Sequence, residues 1–390
     1  MSNSYIVAGV RTPIGSFQGA FDQFSATDLG GVVVGEAVRR SGIGADQIDE
    51  VIMGNVLGAG VGQAPARQAA LKGGLPATIA AVTVNKVCGS GLKSVMLADQ
   101  AIRCGDARVI IAGGMENMSA APHLVTRLRR GVKLGDATMV DAMIHDGLTC
   151  SFESCHMGMH AEHIARRFDV TREDQDRFAA QSQRRAAAAV ASGAFVDEIC
   201  PVTVKHRKGE TVVDADEGIR GDTTEEGLAN LRTVFDKAGT VTAGNASTLS
   251  DGAAAVVVTD EATAVNADFR FKILASHTSG TEPQDLFIAP VAAIKGALAK
   301  ADLTLESIDL FEINEAFSSQ MLACTKQLNL DEEKVNIYGG GVSLGHPIGA
   351  SGARVLVTLM HALRRTGGTR GVVSLCLGGG NAVALVIESA

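Results

Sequence analysis

Apolar residues alternate with a period of two in several short stretches of this sequence and recur at helical spacing between them. Residues 81–85 are β-branched and alternating, as in a strand, whereas residues 92–102 repeat their apolar positions every three or four residues. The connection between them, Val87-Cys88-Gly89-Ser90-Gly91, is rich in small residues. The pattern predicts a strand, a sharp turn that carries Cys88, and a helix that begins directly after the turn.

The same order of elements occurs twice along the chain. The matching segments are residues 4–12 with 271–278, 35–55 with 295–315, 90–93 with 351–354, 108–114 with 371–380, and 253–258 with 381–387. Strands and helices alternate within each copy. This alternation predicts a fold of class α/β, built from two similar units.

The first copy is interrupted, because its last strand comes much later than the equivalent strand of the second copy. We predict that residues 120–249 are an insertion, of the kind that forms lids or binding loops. The predicted domains are an N-terminal α/β unit at residues 1–119 plus 250–269, the inserted domain at 120–249, and a C-terminal α/β unit at 270–390.

Composition narrows the class of protein. The chain has 390 residues, of which 46% are hydrophobic, enough for sizeable cores, and its net charge of −8 at pH 7 argues against a nucleic-acid partner. No apolar run is long enough to cross a membrane, and the N-terminus lacks the features of a signal peptide. The seven cysteines include no Cys-x-x-Cys pair, which favours reduced thiols and a cytoplasmic location.

Cys88 is the first candidate for chemistry. Free backbone N–H groups and the positive end of the following helix are expected to stabilise a thiolate at this position. A stabilised thiolate is a nucleophile. The alternative is a packed cysteine of the core, which is the more common situation of a free cysteine.

Three stretches of the second copy resemble the surroundings of Cys88, because each places a polar residue where a strand ends or glycines cluster. They contain Asn314, His346 and Cys376. Taken singly, His346 could be structural and Cys376 could belong to the core. Together with Cys88 they offer a nucleophile, two bases and an amide at the interface of two units, where α/β proteins bind ligands.

Two features of the inserted segment have competing interpretations. His156, His160 and His163 have the spacing of one helical face, which raises a zinc site as a hypothesis. No carboxylate or cysteine completes a convincing ligand set, so we predict no metal. The basic run at residues 127–133 is either a solvated loop or a surface that attracts a phosphorylated ligand.

Four ordered motifs, at residues 87–91, 314–317, 345–349 and 376–380, resemble the thiolase family over essentially the whole chain. They are most similar to its short-chain acetyl-CoA acetyltransferase branch. The resemblance implies duplicated units in five layers, α-β-α-β-α. It also implies a reversible Claisen condensation of two acetyl-CoA molecules to acetoacetyl-CoA and coenzyme A. Coenzyme A would be substrate and product, and no cofactor would be needed.

The resemblance also implies a role for each motif. Cys88 would carry the acyl group, and His346 would activate it. Cys376 would remove or return the proton at the α-carbon of the second acyl-CoA, while His346 and a water held by Asn314 stabilise the enolate oxygen. The backbone N–H groups of Cys88 and Gly378 would form the oxyanion hole.

The inserted domain resembles the family's lid, which binds coenzyme A and supports oligomerisation. The residues implied to contact coenzyme A or the acyl group are Leu148, His156, Met157, Arg220, Ala243, Ser247, Ala316 and Phe317. The basic run resembles a cationic loop that draws in anionic coenzyme A. The implied partners are acyl-CoA substrates and further copies of the chain, as a dimer of dimers.

Alternatives remain open at this point. A degradative 3-ketoacyl-CoA thiolase of broader chain length shares the motifs, although the pair His156-Met157 favours short chains. A decarboxylating ketoacyl synthase shares the fold but would require a second histidine, and Asn314 and Cys376 argue against it. A thioester hydrolase would need water to reach acyl-Cys88, and an inactive CoA-binding scaffold would not need Cys88, His346 and Cys376 all to be present.

Overall fold

The computed structural model describes residues 3–390, so Met1 and Ser2 of the predicted N-terminal unit lie outside the described residues. The strands are β1 (Ser4–Arg11), β2 (Gly15–Ser16), β3 (Glu50–Gly54), β4 (Ala80–Val84), β5 (Val109–Asn117), β6 (His123–Val125), β7 (Met139–Asp141), β8 (Val202–His206), β9 (Gly209–Val213), β10 (Ser250–Asp260), β11 (Phe271–Gly280), β12 (Leu310–Ile313), β13 (Arg370–Leu377) and β14 (Asn381–Ser389). The helices are α1 (Ala26–Ser41), α2 (Pro65–Lys72), α3 (Ser90–Cys104), α4 (Met157–Arg167), α5 (Arg172–Ala191), α6 (Glu225–Ala229), α7 (Glu261–Ala264), α8 (Ala289–Ala301), α9 (Ser318–Leu328), α10 (Gly341–Leu344) and α11 (Ser351–Thr366).

The main sheet consists of two half-sheets that meet at a narrow seam. Its strand order is β12-β13-β14-β11-β1-β10-β5-β3-β4, with the short β2 paired to β10. At the seam, β1 and β11 pair only through Tyr5 with Lys272 and Ile6 with Phe271. Each half therefore contains the strands of one sequence copy.

The register of the strands confirms the predicted duplication. In each copy the first strand pairs antiparallel with the last, and its register shifts at an equivalent place, between Ile6 and Ala8 in β1 and between Ile273 and Ala275 in β11. The parallel pair β3–β5 likewise has its counterpart in β12–β13. The two copies are therefore the same α/β unit down to the position of a bulge.

Three helical layers enclose the two half-sheets. Helices α1 and α2 pack on the outer face of the first half-sheet, and α8 and α9 on the outer face of the second. Helices α3 and α11 lie between the half-sheets, within the largest apolar core. The α-β-α-β-α arrangement expected from the sequence is confirmed.

The two central helices touch at their N-terminal ends. A Cβ atom on Gly91 would lie 2.7 Å from the backbone nitrogen of Ala353, and one on Gly352 would overlap the nitrogen of Leu92. Only glycine at these positions permits the approach. The turn before α3 and the turn before α11 are thereby brought to one place, although they come from different copies.

The chain between β5 and β10 contains the β6–β7 and β8–β9 hairpins and helices α4, α5 and α6. Helix α5 begins at a capping box, in which Thr171 and Asp174 bond each other's backbone N–H groups. The exact domain boundaries proposed above remain a prediction. Within residues 3–390, no helix combines the length and the apolar character needed to span a membrane.

Candidate active site

Cys88 lies in a strained turn between β4 and α3. The turn includes Val87, whose φ of 46° is rarely adopted by a β-branched residue. The Ser90 hydroxyl holds the turn, because it donates to the Val87 carbonyl at 2.6 Å and accepts from the Lys86 N–H at 2.8 Å. The sequence prediction of a sharp turn directly before a helix is confirmed.

His346 lies in the turn before α11, and its tautomer follows from its partners. Its Nδ1 is 2.6 Å from the Ser351 hydroxyl, and that hydroxyl donates its own proton to the Pro347 carbonyl at 2.9 Å. Nδ1 must therefore carry the proton and donate to Ser351. Nε2 keeps its lone pair, with the Asn314 amide Nδ2 at 3.4 Å.

The electrostatic surroundings keep His346 neutral. Burial and then the nearby Arg354 guanidinium lower the pKa of His346 to about 3. The ring is therefore uncharged at neutral pH. A neutral imidazole with a fixed Nε2 lone pair can accept a proton from a thiol.

The structure contradicts the expectation that the resting state of Cys88 is a stabilised thiolate. Burial, with a smaller contribution from the Glu116 carboxylate, raises the pKa of Cys88 to about 12, although the N–H groups of Cys88 and Gly378 lower it in part. The helix begins at Ser90 with Gly89 as its N-cap, so Cys88 precedes the cap. Desolvation therefore affects the pKa of Cys88 more than the helix N-terminus does, and Cys88 is a thiol until a base takes its proton.

Cys376 is the penultimate residue of β13 and is buried. Burial, followed by the proximity of Cys88 and Cys324, raises the pKa of Cys376 well above its usual range. The tight turn from β13 to β14 then follows, in which Gly380 has a φ of 87° and a Cβ atom would overlap the Thr281 carbonyl. This turn directs the Gly378 N–H towards the sulfur of Cys88.

The sequence interpretation missed Glu116, a buried carboxylate at the end of β5. It accepts hydrogen bonds from the backbone N–H groups of Val56 at 3.0 Å, Leu57 at 3.2 Å and Gly349 at 2.9 Å. Burial raises its pKa to about 7. Glu116 thus joins the first copy to the turn that carries His346, and its only sequence signal is a carboxylate in an apolar strand.

Cys88, His346 and Cys376 line one shared cavity of about 600 Å³. Apart from Asn314, all of the predicted site residues line it, namely Cys88, Leu148, His156, Met157, Arg220, Ala243, Ser247, Ala316, Phe317, His346, Cys376 and Gly378. Asn314 is fully buried behind His346, and its Oδ1 has no hydrogen-bond partner among residues 3–390. The exposed basic run at residues 127–133 lies outside the cavity wall.

Aromatic rings form the wall near Cys376. Phe317 contacts Phe287 edge to face, with centroids 5.2 Å apart, and Phe235 at 6.3 Å. The His156 imidazole stacks on Phe235 at 4.7 Å. Phe235 was absent from the sequence prediction because nothing in its local pattern distinguishes it from other apolar residues.

The three histidines at the start of α4 do not form one cluster. His156 is the N-cap, and its Nδ1 accepts from the Gly158 N–H at 3.0 Å. His163 bonds Asp285 at 3.0 Å, whereas His160 is buried beside Cys155. The zinc hypothesis for these three histidines, which the sequence analysis set aside, has no support in the geometry.

Comparison with known proteins links this arrangement to one family. The family model described as "Thiolase, N-terminal domain" matches residues 4–262, and "Thiolase, C-terminal domain" matches 268–389. An acetyl-CoA acetyltransferase of Escherichia coli (strain K12) is 53% identical over 393 residues, covering 100% of this chain and 99% of the relative. One from Cupriavidus necator is 49% identical, covering 100% of both chains.

A solved structure agrees with these sequence relatives. The crystal structure of the Bacillus anthracis acetyl-CoA acetyltransferase superposes with a TM-score of 0.98 at 42% sequence identity. The match covers 100% of this chain and 99% of that chain. Sequence and fold thus agree with those of the relatives along the whole length.

Proposed function

This chain belongs to the thiolase family, and we propose that it is an acetyl-CoA C-acetyltransferase, which condenses two acetyl-CoA molecules reversibly to acetoacetyl-CoA and coenzyme A. The observation that carries the proposal is the neutral His346, with its Nε2 lone pair, in one cavity with the thiols of Cys88 and Cys376. Relatives near half identity that span the full chain carry this enzyme name.

In the first half-reaction, His346 Nε2 takes the Cys88 proton as the sulfur attacks the thioester carbonyl. A pKa of about 12 for Cys88 means that deprotonation has to accompany attack. The N–H groups of Cys88 and Gly378 receive the developing oxyanion. Coenzyme A then leaves as a thiol with the proton from His346, and the acetyl group remains on Cys88.

In the second half-reaction, Cys376 passes its own thiol proton to Nε2 of His346 and then, as a thiolate, removes a proton from the methyl carbon of another acetyl-CoA. His346, with a water held by Asn314, stabilises the enolate oxygen, and the unpartnered Asn314 Oδ1 supports this role. The carbanion attacks the acetyl carbonyl on Cys88 and expels the Cys88 thiolate. That thiolate recovers its proton from His346, so that Cys88, Cys376 and His346 all return to their neutral resting forms, and acetoacetyl-CoA is released.

The remaining cavity residues are proposed to hold coenzyme A. Arg220 would lie against the adenine, and Ala243 and Ser247 would contact the pantetheine arm. His156 and Met157 would lie near the acyl group and the pantetheine, Leu148 beside the pocket, and Ala316 and Phe317 near the thioester. The support is that every one of these side chains lines the same cavity as Cys88.

The chemistry needs no metal or redox cofactor, because it consists of acyl and proton transfers.

A homo-oligomer built as a dimer of dimers is supported by two exposed apolar features. Strand β4 is a sheet edge with Val82 40% exposed, and Leu134 between β6 and β7 is 98% exposed. A cytoplasmic location is supported by seven free cysteines.

A comparison of thiolysis rates tests the function. We expect coenzyme A-dependent cleavage of acetoacetyl-CoA to exceed that of a medium-chain 3-ketoacyl-CoA by at least about tenfold, because the aromatic wall near Cys376 restricts the acyl chain. Equal or faster cleavage of the longer substrate would instead assign the protein to the degradative branch of the family. If the protein cleaves neither substrate, the hypothesis that remains is an inactive CoA-binding scaffold.

A further inference from the structure

Three potential metal ligands lie together just outside the acyl pocket. The Cys155 sulfur is 3.5 Å from Nε2 of His160, and Oε2 of Glu153 is 3.9 Å from Nδ1 of the same ring. One donor atom from each residue lies within 4.8 Å of the other two. None of the three takes part in the proposed acyl transfer, so the cluster requires its own explanation.

The distance between sulfur and nitrogen suits a tetrahedral metal ion. Zinc binds thiolate sulfur at about 2.3 Å and imidazole nitrogen at about 2.0–2.1 Å. At a tetrahedral angle these bond lengths place sulfur and nitrogen about 3.5 Å apart. Cys155 and His160 already have this separation, 3.5 Å, so an ion could bind both without moving the backbone.

The histidine ring is held in place, whereas the carboxylate can move. His160 is 2% exposed, and a hydrogen bond to the backbone carbonyl of Gln284 fixes its ring. A metal-binding histidine typically donates its second N–H to a carbonyl or carboxylate in this way. The Glu153 side chain is 42% exposed, so an ion can enter from solvent on this side, and the carboxylate can adjust its position as a third ligand.

We propose that Cys155, His160 and Glu153 bind a zinc-class divalent cation, with water as the fourth ligand. On binding, the Cys155 thiol proton passes to solvent, and the sulfur and Nε2 of His160 become ligands; the Glu153 carboxylate, which lies nearer Nδ1, turns to the Nε2 side to supply the third ligand, without any change of oxidation state. The set differs from the three histidines considered in the sequence analysis, because only His160 is common to both.

The position of the site connects it to the acyl pocket. The Cys150 N–H donates to the Cys155 carbonyl at 2.8 Å, and Thr149 pairs with His156, so residues 149–156 form a narrow hairpin. Its two ends adjoin Leu148 and His156 of the cavity wall. An ion bound to Cys155 and to His160 of α4 would fasten this hairpin to the helix.

The test uses Co²⁺ as a spectroscopic probe of the reduced, full-length protein. We expect thiolate-to-cobalt charge-transfer absorption and the visible bands of a tetrahedral ion in the wild type, and competition by Zn²⁺. Cys155→Ser should remove the charge-transfer band and weaken Zn²⁺ binding by at least about a hundredfold. His160→Gln provides a second variant. The matched controls, Cys104→Ser and His163→Gln, should bind as the wild type does.

The thiols of the catalytic cavity are the competing explanation, and Cys88→Ala separates the two. The proposal predicts that Cys88→Ala keeps the cobalt spectrum, and that Zn²⁺ raises the melting temperature of this variant but not of Cys155→Ser. A spectrum that survives Cys155→Ser or disappears in Cys88→Ala would overturn the proposal.

Discussion

The two α/β copies have similar backbones but carry different proposed catalytic side chains at equivalent positions. When Ser90 of the first copy is matched with Ser351 of the second, Cys88 stands opposite Gly349, and His346 stands opposite Asn85. Both serines donate to a carbonyl of the preceding turn. The same type of hydrogen bond thus fixes the turn of the proposed nucleophile in one copy and the turn of its proposed base in the other.

The strands show the same division. Asp49 and Asp309 each accept two backbone N–H groups at the start of the neighbouring strand, which fixes the correspondence of β5 with β13. On that correspondence, Met115 stands opposite Cys376 and Gly54 opposite Asn314. Neither copy alone contains a full set of catalytic groups, so the proposed reaction requires their interface.

One residue of the first copy, Glu116, forms a direct hydrogen bond to the second copy. Glu116 belongs to the first copy but accepts a hydrogen bond from the N–H of Gly349, the counterpart of Cys88 in the second. The residue opposite Glu116 is Leu377, which packs in the central core. The comparison teaches that shared scaffold geometry places the turns, whereas polar side chains present in only one copy fix their relative positions.

Removing the base of the second copy should disable the nucleophile of the first. We expect His346→Ala to slow the alkylation of Cys88 by iodoacetamide at pH 7 by about 10²–10⁴-fold, because a thiol with a pKa of about 12 then has no proton acceptor. Mass spectrometry of the Cys88 peptide measures the rate.

The pH dependence provides the control for that variant. In His346→Ala the rate should recover as pH rises, because the thiolate then forms without a base. His163→Ala, on the surface beside Asp285, should be alkylated like the wild type. Unchanged alkylation of His346→Ala at pH 7 would remove His346 as the activator.

Ser351 is a positioning residue whose loss should have a smaller effect. Ser351→Ala removes the acceptor that holds the proton on Nδ1 of His346. We expect kcat to fall by roughly tenfold to a hundredfold with KM nearly unchanged, as for the loss of a hydrogen bond of about 1–3 kcal/mol. Ser94→Ala removes a buried hydroxyl from α3 and should leave kcat unchanged; an equal loss in both variants would indicate a general packing effect.

Glu116→Gln tests the contact between the copies through the pH dependence of stability. The pKa of Glu116 is about 7 in the folded protein, above the unfolded value, so the folded state binds more protons between these values. Its contribution to stability is complete below about pH 4 and declines as pH rises through 7, by about 3 kcal/mol in total. Urea unfolding at pH 5 and pH 8 should show a shallower decline in Glu116→Gln, and identical slopes would contradict this assignment.

The duplicated fold and the turns that carry the proposed catalytic residues could be predicted from local sequence patterns, whereas the residues that line the rest of the cavity were implied only by the family resemblance. Glycine clusters mark the turns that carry Cys88, His346 and Cys376, and periodicity marks the strands and helices around them. The structure adds Ser351 and Glu116, whose roles depend on partners distant in the sequence or hidden within a turn.

The ionisation of Cys88 could not be predicted from the sequence. The local pattern indicated a helix N-terminus, which lowers the pKa of a thiol, whereas burial between the two half-sheets raises it. The spacing of His156, His160 and His163 likewise suggested one helical face. Because His156 is the N-cap and lies outside the helix, it faces Phe235 instead.

The measurement that tests the division of chemistry between the copies most directly is made on Cys376→Ser incubated with acetyl-CoA. The first copy should still accept an acetyl group on Cys88 with the help of His346, so intact mass should show one acetyl adduct. Formation of acetoacetyl-CoA should fall by about 10²–10⁴-fold because the base for the α-carbon is lost. Condensation at the wild-type rate, or failure to acetylate Cys88 in a folded variant, would contradict the account.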